Sequence, residues 1–285
     1  MISLLLAINP GALAATWTVD ASGGADFTTV TDAVEGAASG DTISVAAGTY
    51  ADECLDTAGK DLSLEGDDSG SPVLIEGASD CNNLLLMQEG ETVSVSGLSL
   101  SNVDSRVAYV SGGALSLDQV TVSGSGNWNG WAGTLYVTGG TLTVLDSTLT
   151  GNTGSYGGNI YAYASAVSIT GTEISDSSGW HGAVAYLEGQ NTLTIEDSTA
   201  SSNWTYYSGN IRATGSATIT LDSSHFESNT LYDGSGGVLS ADWSTAITVV
   251  DSTFKSNQAT YSGGAFYFYA NYATIDISGS TFEGN

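Results

Sequence analysis

The sequence predicts an all-β protein built as a parallel β-helix, a solenoid of about nine or ten coils closed at its N-terminal end by a short helix. One phrase, whose strongest copies are an apolar residue followed three positions later by Asn, recurs every 25 to 28 residues. Between its copies, short runs alternate apolar and small polar residues, and a second phrase built around glycine follows the first in most coils. The apolar markers of the first phrase are Val122, Leu149, Ile174, Ala200, Phe226, Phe254 and Phe282.

The alternating runs predict strands. Residues 142–145, 193–195 and 218–221 place apolar side chains at every second position, which is the period of a strand. Clusters of Gly, Ser, Asn and Asp separate the runs and favour sharp turns. The spacing suits neither leucine-rich repeats nor propeller blades. We therefore expect about three short strands per coil, with coils stacked about 4.8 Å apart.

The two phrases mark two different bends of each coil. In the first, asparagines are expected to stack into a ladder that hydrogen bonds between coils, a stabilising device. In the second, glycines are expected at equivalent corners where a side chain would clash or φ is positive. The ladder residues are Asn152, Asn203, Asn229, Asn257 and Asn285, and the corner glycines are Gly133, Gly158, Gly182, Gly209, Gly237 and Gly264.

The N-terminal part is expected to cap the core. Val30, Ala33, Val34 and Ala37 share one face at helical spacing, and Thr28 or Thr29 can serve as the N-cap. A solenoid needs such a cover because its end strand otherwise exposes unpaired backbone. We assign residues 16–61 to the cap and first coil, and residues 62–285 to the repeats.

Residues 1–15 have the features of a secretory signal remnant, with an apolar run and an Ala-x-Ala cleavage cue. This predicts a secreted or cell-surface protein and no transmembrane segment, because the run is too short to span a bilayer. Cys54 and Cys81, the only cysteines, lie 27 residues apart, which is one coil. A disulfide between adjacent coils is expected, with two buried thiols as the alternative.

The net charge of -27, from 31 acidic and four basic residues, excludes a nucleic-acid partner. The acidity can keep the sheet soluble, mark a saline environment or attract a divalent cation. No cofactor is expected, with calcium as the one alternative and Asp67 and Asp68 as weak candidate ligands. Corner aspartates offer a second alternative, a vertical row of like charges, although an Asp-Ser turn explains them as well. These are Asp146, Asp197, Asp222 and Asp251.

No catalytic motif emerges from the sequence. Arg106 and Arg212 are isolated from carboxylate motifs and are expected to be solvated or salt-bridged. His181 and His225 have no Ser or Cys partner that spacing identifies. Aromatic residues are dense, and those expected on loops can form a platform for sugar rings or a partner protein, or can stack between coils. The platform candidates are Trp128, Trp131, Trp180 and Trp204.

Two resemblances add to this picture. Phe-x-x-Asn at 226–229, 254–257 and 282–285, with Gly-Gly phrases at 236–239 and 263–266, resembles the repeats of polymorphic outer-membrane proteins. That resemblance implies a right-handed parallel β-helix, display at the cell surface in association with the outer membrane, and adhesion. Residues 24–34, 40–45 and 48–50 are similar to the opening of pectinesterase-like and other right-handed β-helix proteins.

Three functional hypotheses follow. The first is an exported, non-catalytic, monomeric surface protein, adhesin-like or envelope-structural, whose partner is a glycan or a protein of a host or neighbouring cell. The alternative is a polysaccharide-binding protein or a polysaccharide lyase or glycoside hydrolase, of pectate lyase or pectinesterase type. The third is an ice-binding or filament-forming solenoid. Pairs such as Thr141 with Thr143 and Thr218 with Thr220 do not repeat as Thr-x-Thr in successive coils, which predicts that no flat ice-binding face forms.

Overall fold

The computed structural model describes residues 13–67, 71–102, 105–128, 133–242, 244–269 and 273–285. These form a parallel β-solenoid of about ten coils, since three long sheets of eleven, ten and nine strands run side by side along it. Every strand pairing is parallel and joins one coil to the next. The predicted fold class, including the short helix, is confirmed.

The helix α1 spans Val30–Gly36. The strands, in chain order, are β1 (Thr16–Val19), β2 (Thr42–Val45), β3 (Gly48–Glu53), β4 (Leu55–Asp56), β5 (Leu62–Gly66), β6 (Val73–Gly77), β7 (Asn83–Met87), β8 (Thr92–Ser96), β9 (Ser99–Ser101), β10 (Arg106–Ser111), β11 (Ala114–Asp118), β12 (Thr121–Ser123), β13 (Leu135–Thr138), β14 (Thr141–Leu145), β15 (Thr148–Thr150), β16 (Thr153–Tyr156), β17 (Ile160–Tyr163), β18 (Ala166–Thr170), β19 (Glu173–Ser175), β20 (Ser178–His181), β21 (Ala185–Glu188), β22 (Asn191–Glu196), β23 (Thr199–Ser201), β24 (Trp204–Ser208), β25 (Ile211–Thr214), β26 (Ala217–Asp222), β27 (His225–Glu227), β28 (Thr230–Leu231), β29 (Leu239–Asp242), β30 (Ala246–Val250), β31 (Thr253–Lys255), β32 (Gln258–Ala259), β33 (Phe266–Phe268), β34 (Thr274–Ser278) and β35 (Thr281–Glu283).

The strands form four sheets. Sheet 1 has the order β1-β2-β5-β8-β11-β14-β18-β22-β26-β30-β34, and sheet 2 has the order β3-β6-β9-β12-β15-β19-β23-β27-β31-β35. Sheet 3 has the order β33-β29-β25-β21-β17-β13-β10-β7-β4. Sheet 4 is short, with the order β16-β20-β24-β28-β32. Coils that contain a sheet 4 strand therefore have four strands, one more than predicted.

The core is a column of apolar side chains enclosed by the sheets. Alternate residues of each strand point inward and are buried, as Leu142 and Val144 are in β14. Equivalent positions in neighbouring coils stack directly. The rings of Phe226 and Phe254 lie 5.0 Å apart and those of Phe254 and Phe282 lie 4.8 Å apart, nearly parallel in both cases. The recurring Phe of the first phrase is therefore a core residue.

The predicted asparagine ladder is confirmed. The backbone N–H of Asn203 donates to Oδ1 of Asn229, and that of Asn229 donates to Oδ1 of Asn257. Serines fill the same position in two earlier coils, since Ser177 Oγ accepts from the backbone N–H of Asn152 and Ser125 N–H donates to Asn152 Oδ1. These residues are buried, so the ladder satisfies backbone groups that water cannot reach.

A second ladder of hydroxyls runs along the Asp-Ser corner. Each hydroxyl accepts from the backbone N–H of the preceding coil and donates to a carbonyl two residues back, as Ser224 does for Ser198 and Asp222. Its members are Ser147, Thr172, Ser198, Ser224, Ser252 and Ser280. The Asp-Ser corner is therefore a turn, which was one of the two interpretations of the sequence. The hydroxyl of the serine makes the hydrogen bonds that join this turn to the preceding coil.

The corner aspartates do not form an unbroken row of charge. Asp146, Asp197 and Asp251 occupy the left-handed position of this turn, with φ of 45°, 48° and 46°. In the other coils, the strand register puts a different residue at the same turn position. Gly171 lies between Asp146 and Asp197, Ser223 lies between Asp197 and Asp251, and Gly279 follows Asp251. Asp222 lies one position earlier, at the end of β26. Asp therefore alternates with Gly or Ser at this turn position, and the Asp146 carboxylate covers the position that a Cβ at Gly171 would take, 2.2 Å from Oδ1.

The glycine corner is confirmed with one correction. A Cβ at Gly237 would lie 2.2 Å from the carbonyl oxygen of Gly264, and Gly133, Gly158, Gly209 and Gly264 are similarly crowded by backbone. Gly182 belongs to the preceding row, since strand pairing aligns it with Gly157 and aligns Ala183 with Gly158. Gly182 has φ +65°, and a Cβ there would lie 2.4 Å from the carbonyl oxygen of Ala185, so its conformation and its packing both require glycine.

The cap is built as predicted. Thr29 is the N-cap of α1 and accepts from the backbone N–H of Asp32 at 3.1 Å. The buried Glu53 carboxylate accepts from the N–H groups of Val30 and Thr31, which stabilises the helix start. Cys54 and Cys81 form the predicted disulfide, with Cα atoms 6.1 Å apart. Among the described residues, no helix is long and apolar enough to cross a membrane.

Candidate functional site

Sheet 4 supplies the most distinctive surface of the solenoid. Its strands follow the asparagine ladder and precede the glycine corner, so they form a ledge between sheets 2 and 3 over five consecutive coils. Thr205 and Leu231 point inward and are buried, whereas the neighbouring side chains point outward. The outward positions carry large aromatic rings. The ledge therefore presents an aromatic surface to solvent.

We call this surface the aromatic patch. Its members are Trp128, Trp180, Trp204, Tyr206, Tyr207 and Tyr232. Centroid distances between touching rings range from 4.5 Å for Tyr206 with Tyr207 to 5.8 Å for Trp128 with Trp180. Exposed fractions are 37% for Trp180, 42% for Trp204, 48% for Tyr207 and 66% for Tyr232. The rings meet at mixed angles, so several ring faces are open to a ligand.

Trp128 joins rings that are distant along the chain. Its ring lies 5.8 Å from that of Trp180 and 5.2 Å from that of Trp204. Trp128 precedes β16, and Ser155 in that strand donates its hydroxyl to the Trp128 carbonyl. To reach β20 and β24, the Trp128 side chain must cross the coil that contains β16. The patch is consequently continuous over several coils.

The sequence identified three of these residues but not their setting. Trp180 and Trp204 were expected on loops, yet they lie in strands β20 and β24. The register between these strands shifts between Gly179 and His181, so β24 bulges there and turns both Tyr206 and Tyr207 toward the patch. Trp131 lies outside the described residues. The missed tyrosines Tyr206, Tyr207 and Tyr232 share one signal, which is their place three or four residues after a ladder asparagine.

A second set of aromatics behaves differently. Tyr109, Tyr136, Tyr161 and Tyr186 form a column on the outward face of sheet 3, with centroids 5.0, 4.8 and 5.6 Å apart and interplanar angles of 6°, 7° and 11°. The rings cover one another's faces and present edges to solvent. Arg106 lies over the first rings, 5.1 Å from the Tyr136 centroid. This column fits the structural-stacking interpretation.

His181 links the column to the patch. Its ring stacks on Tyr156 at 5.2 Å and lies 5.5 Å from Tyr207. Its Nδ1 is 3.0 Å from the hydroxyl of Ser208, a partner from the next coil that the sequence did not reveal. Burial, and secondarily the charge of Arg212, lower the pKa of His181 below 6.5. The imidazole is therefore neutral at pH 7 and can act as donor or acceptor beside the patch.

Carboxylates and one cation stand near this junction on sheet 3. Arg212 forms an ion pair with Asp242, so its predicted salt bridge is confirmed. The Tyr161 hydroxyl donates to Glu188, and burial followed by this hydrogen bond raises the Tyr161 pKa. Strand pairing places Glu188 and Asp242 in one outward row with Thr214 between them. A carboxylate pair and a basic residue thus share one face.

The structure brings no metal site together at the predicted positions. Asp67 is exposed after β5, and Asp68 lies outside the described residues. In the part of the chain that the structure describes, the one group with metal-ligand geometry is Cys54, Asp80 and Cys81. Its two cysteines are joined in the disulfide and offer no thiolate. The other histidine, His225, lies on sheet 2, where its Nε2 is 3.1 Å from Oε2 of Glu227.

Comparison with known proteins agrees with the architecture. A family model described as "Right handed beta helix region" matches residues 108–285. No curated protein matches the chain. The fold is similar to that of pectin methylesterase from carrot, with a TM-score of 0.55 and 12% identity over 94% of this chain and 83% of that one.

Two further solved structures share the fold. A rhamnogalacturonan lyase matches with a TM-score of 0.50 and 12% identity over 93% of this chain and 87% of that one. Pectate lyase Pel9A matches with a TM-score of 0.50 and 10% identity over 93% of this chain and 79% of that one. At such identities the likeness concerns the fold alone. The match is to β-helix proteins generally, and the outer-membrane repeat resemblance stays a prediction.

Proposed function

The chain belongs to the right-handed β-helix family, and on that premise we propose that it is an exported protein that binds a polysaccharide along the aromatic patch. The observation that carries the proposal is the contact of six exposed or half-exposed rings over successive coils. Apolar faces of sugar rings pack on such side chains, and the indole and phenol groups add hydrogen bonds at the edges. A patch this long fits several consecutive sugars.

The sharing of the fold with three carbohydrate-active proteins supports this function over the adhesin interpretation. These are a pectin methylesterase, a rhamnogalacturonan lyase and a pectate lyase. The disulfide supports export, because such bonds persist in oxidising compartments. Attachment to an outer membrane is a separate proposal that rests on the repeat resemblance.

The charge of the protein narrows the ligand class. A net charge of -27 repels a polyanion, so we infer that the polysaccharide is neutral or cationic, unlike pectate. At the margin of the patch, Asp233 accepts a hydrogen bond from Tyr261, and Arg212 is neutralised by its ion pair with Asp242. Stacking of sugar rings on the aromatic side chains, and not ion pairing, would then provide the affinity for the polysaccharide.

The test measures binding of the purified chain to a panel of soluble polysaccharides that includes neutral glucans, xylans, chitosan and polygalacturonate. We expect binding to a neutral or cationic member, weakened about tenfold or more, about 1.4 kcal/mol, by Trp180→Ala and by Trp204→Ala. The matched control is Tyr109→Leu, which removes a ring of the column outside the patch. Equal losses in all three variants, or binding to a protein partner alone, would reject the proposal.

Cleavage of the bound chain is a second candidate, favoured by Glu188, Asp242 and Arg212 on one face. Two coils separate the carboxylates, which places their backbones about 9 to 10 Å apart. Inverting glycosidases hold their carboxyl groups about 6.5 to 9.5 Å apart. Release of reducing ends from the neutral or cationic polysaccharide that the chain binds would support it. Loss of that activity in Glu188→Gln with binding retained is the required result.

A further inference from the structure

The outward face of sheet 1 carries a regular array of small uncharged side chains. Its central column runs through Ser63, Ser94, Ser116, Thr143, Ser168, Thr194, Thr220 and Thr248. The adjacent column, two residues earlier in each strand, runs through Thr92, Ala114, Thr141, Ala166, Thr192, Thr218, Ala246 and Thr274. We call these two columns the hydroxyl face.

This register overturns one expectation from the sequence. Thr141 with Thr143 and Thr218 with Thr220 lie in the same two columns, and the intervening coils fill those columns with Thr, Ser or Ala. The prediction that such pairs are out of register was wrong, because Thr192 and Thr194 pair directly with Thr218 and Thr220, and Ser or Ala fills the equivalent positions between Thr141 with Thr143 and this pair. Both residues are small enough to keep the face level.

The hydroxyls of this face are available to solvent. None of the residues in the two columns is buried, and Thr92, Thr141, Thr192, Thr218 and Thr274 are exposed. Among the described residues, the Ser94 hydroxyl donates to that of Ser63 at 2.9 Å, and the other hydroxyls of the two columns have no hydrogen bond to protein. Such groups bond to water instead.

No aromatic ring lies in the hydroxyl face. The chain has 31 acidic residues, yet the central column from Ser63 to Thr248 and the adjacent column from Thr92 to Thr274 contain none. Acidic residues end the two columns, with Asp61 next to Thr92 and Asp276 next to Thr248, and others lie in the flanking column, with Glu65, Asp118, Glu196 and Asp222. Without rings to stack on sugars, the face does not suit the glycan chemistry of the aromatic patch.

The array is also rigid and periodic. Neighbouring positions are about 4.8 Å apart across the strands and about 6.7 Å apart along them. The register from β5 to β34 proceeds without a shift, and residues of the same strands such as Leu142, Leu193 and Ile219 are fully buried behind it. Each threonine offers a hydroxyl that anchors water and a methyl group that limits where the next water can lie.

We propose that the hydroxyl face binds ice. Water held at two constant repeat distances over seven coils, from β8 to β30, forms a planar lattice, and the surface of an ice crystal can extend such a lattice. Bulk water has no matching order, so the protein would adsorb to ice and slow its growth. This function is independent of glycan binding, because it uses a different sheet and needs no carbohydrate.

The test measures thermal hysteresis and ice-crystal shape with the purified chain in dilute buffer. Wild type is expected to produce faceted crystals and a hysteresis gap that grows with concentration. Thr192→Lys combined with Thr218→Lys should remove both, since two flexible charged side chains would rise from the middle of the array. The matched control is Thr148→Lys combined with Thr199→Lys on sheet 2, which adds the same charge to a face whose columns already contain Glu173 and His225.

Circular dichroism and the melting temperature establish that each variant is folded. If the double variant does not fold, Ala166→Lys places one charge in the same column at an exposed position. Rounded crystals and no hysteresis with wild type would overturn the proposal, as would equal losses in the sheet 2 control. Retention on insoluble crystalline cellulose or chitin that only the sheet 1 variants lose, without ice activity, would also overturn it and assign the face to a solid polysaccharide.

Discussion

Asn229 and Asn257 are joined twice across adjacent coils. Oδ1 of Asn257 accepts both from the backbone N–H of Asn229 and from its Nδ2, each at 3.0 Å. Asn229 in turn donates from Nδ2 to the carbonyl of Ala200 at 2.8 Å and accepts from the backbone N–H of Asn203 at 3.1 Å. Both residues are fully buried. One side chain therefore satisfies backbone groups that have no access to water.

Replacing this side chain should be costly for stability. In Asn229→Ala, the N–H of Asn203 and the carbonyl of Ala200 lose partners, and each buried unsatisfied group costs about 1 to 3 kcal/mol. We expect the free energy of unfolding to fall by at least about 2 kcal/mol, measured by urea denaturation. Asn229→Ser is the control, because the Ser177 hydroxyl at the same ladder position already accepts from the N–H of Asn152 in the preceding coil. Equal losses for Ala and Ser would argue against the hydrogen-bond explanation.

The glycine corner predicts an asymmetric response to a single methyl group. Gly237→Ala would place Cβ 2.2 Å from the carbonyl oxygen of Gly264 and 2.6 Å from that of Gln258. Since both are backbone atoms, the coils must separate locally, and overpacking of this kind costs about 1 to 3 kcal/mol. The reciprocal change, Ala183→Gly in the same row, should cost about 0.5 to 1 kcal/mol. Thermal unfolding of both variants measures the difference, and a tolerated Gly237→Ala would contradict the packing argument.

The disulfide should stabilise the N-terminal coils. Cys54 and Cys81 close a loop of 27 residues, for which chain entropy predicts about 3 to 4 kcal/mol. Reduction is expected to lower the melting temperature and to raise hydrogen exchange in α1, which packs against β4. The double variant Cys54→Ser with Cys81→Ser should melt at the temperature of the reduced protein, and adding reductant should not change its melting temperature. A melting temperature unchanged by reduction would show that the bond adds no stability.

His181 makes stability depend on pH. Burial first, and the charge of Arg212 second, lower the pKa of its imidazole in the folded protein below 6.5. The unfolded chain therefore takes up this proton more readily, so the contribution of His181 to stability is complete above pH 6.5 and is lost as the pH falls toward the folded pKa. Urea denaturation should show a steeper loss across that window for wild type than for His181→Asn.

A direct titration checks the same prediction. The imidazole resonances of His181, followed by NMR, should have a midpoint below pH 6.5, and Arg212→Gln should move it upward because a repelling charge is removed. A midpoint above 6.5 in wild type would contradict the assigned environment. So would a midpoint that Arg212→Gln leaves in place.

The sequence by itself determined the architecture. The interval between Phe226, Phe254 and Phe282 predicted one coil per repeat, and these rings do stack in the core. It also predicted the asparagine ladder, the crowded glycine corner, the cap and the pairing of Cys54 with Cys81. These features follow from local rules that repeat with the period, since each coil must turn at the same places and pair with an almost identical neighbour.

Only the tertiary structure decided which surfaces the solenoid presents. Trp128 reaches Trp204 across intervening coils, and Ser208 meets His181, because coil stacking brings together side chains about 26 or more residues apart. Coils also differ in length, and bulges such as the one at Tyr206 and Tyr207 absorb the extra residues at the corners. The backbone ladder then keeps sheet 1 in strict register, so Thr192 and Thr218 align with Ala166 and Ala246. Register is set by hydrogen bonds between strands, which counting along the chain does not reveal.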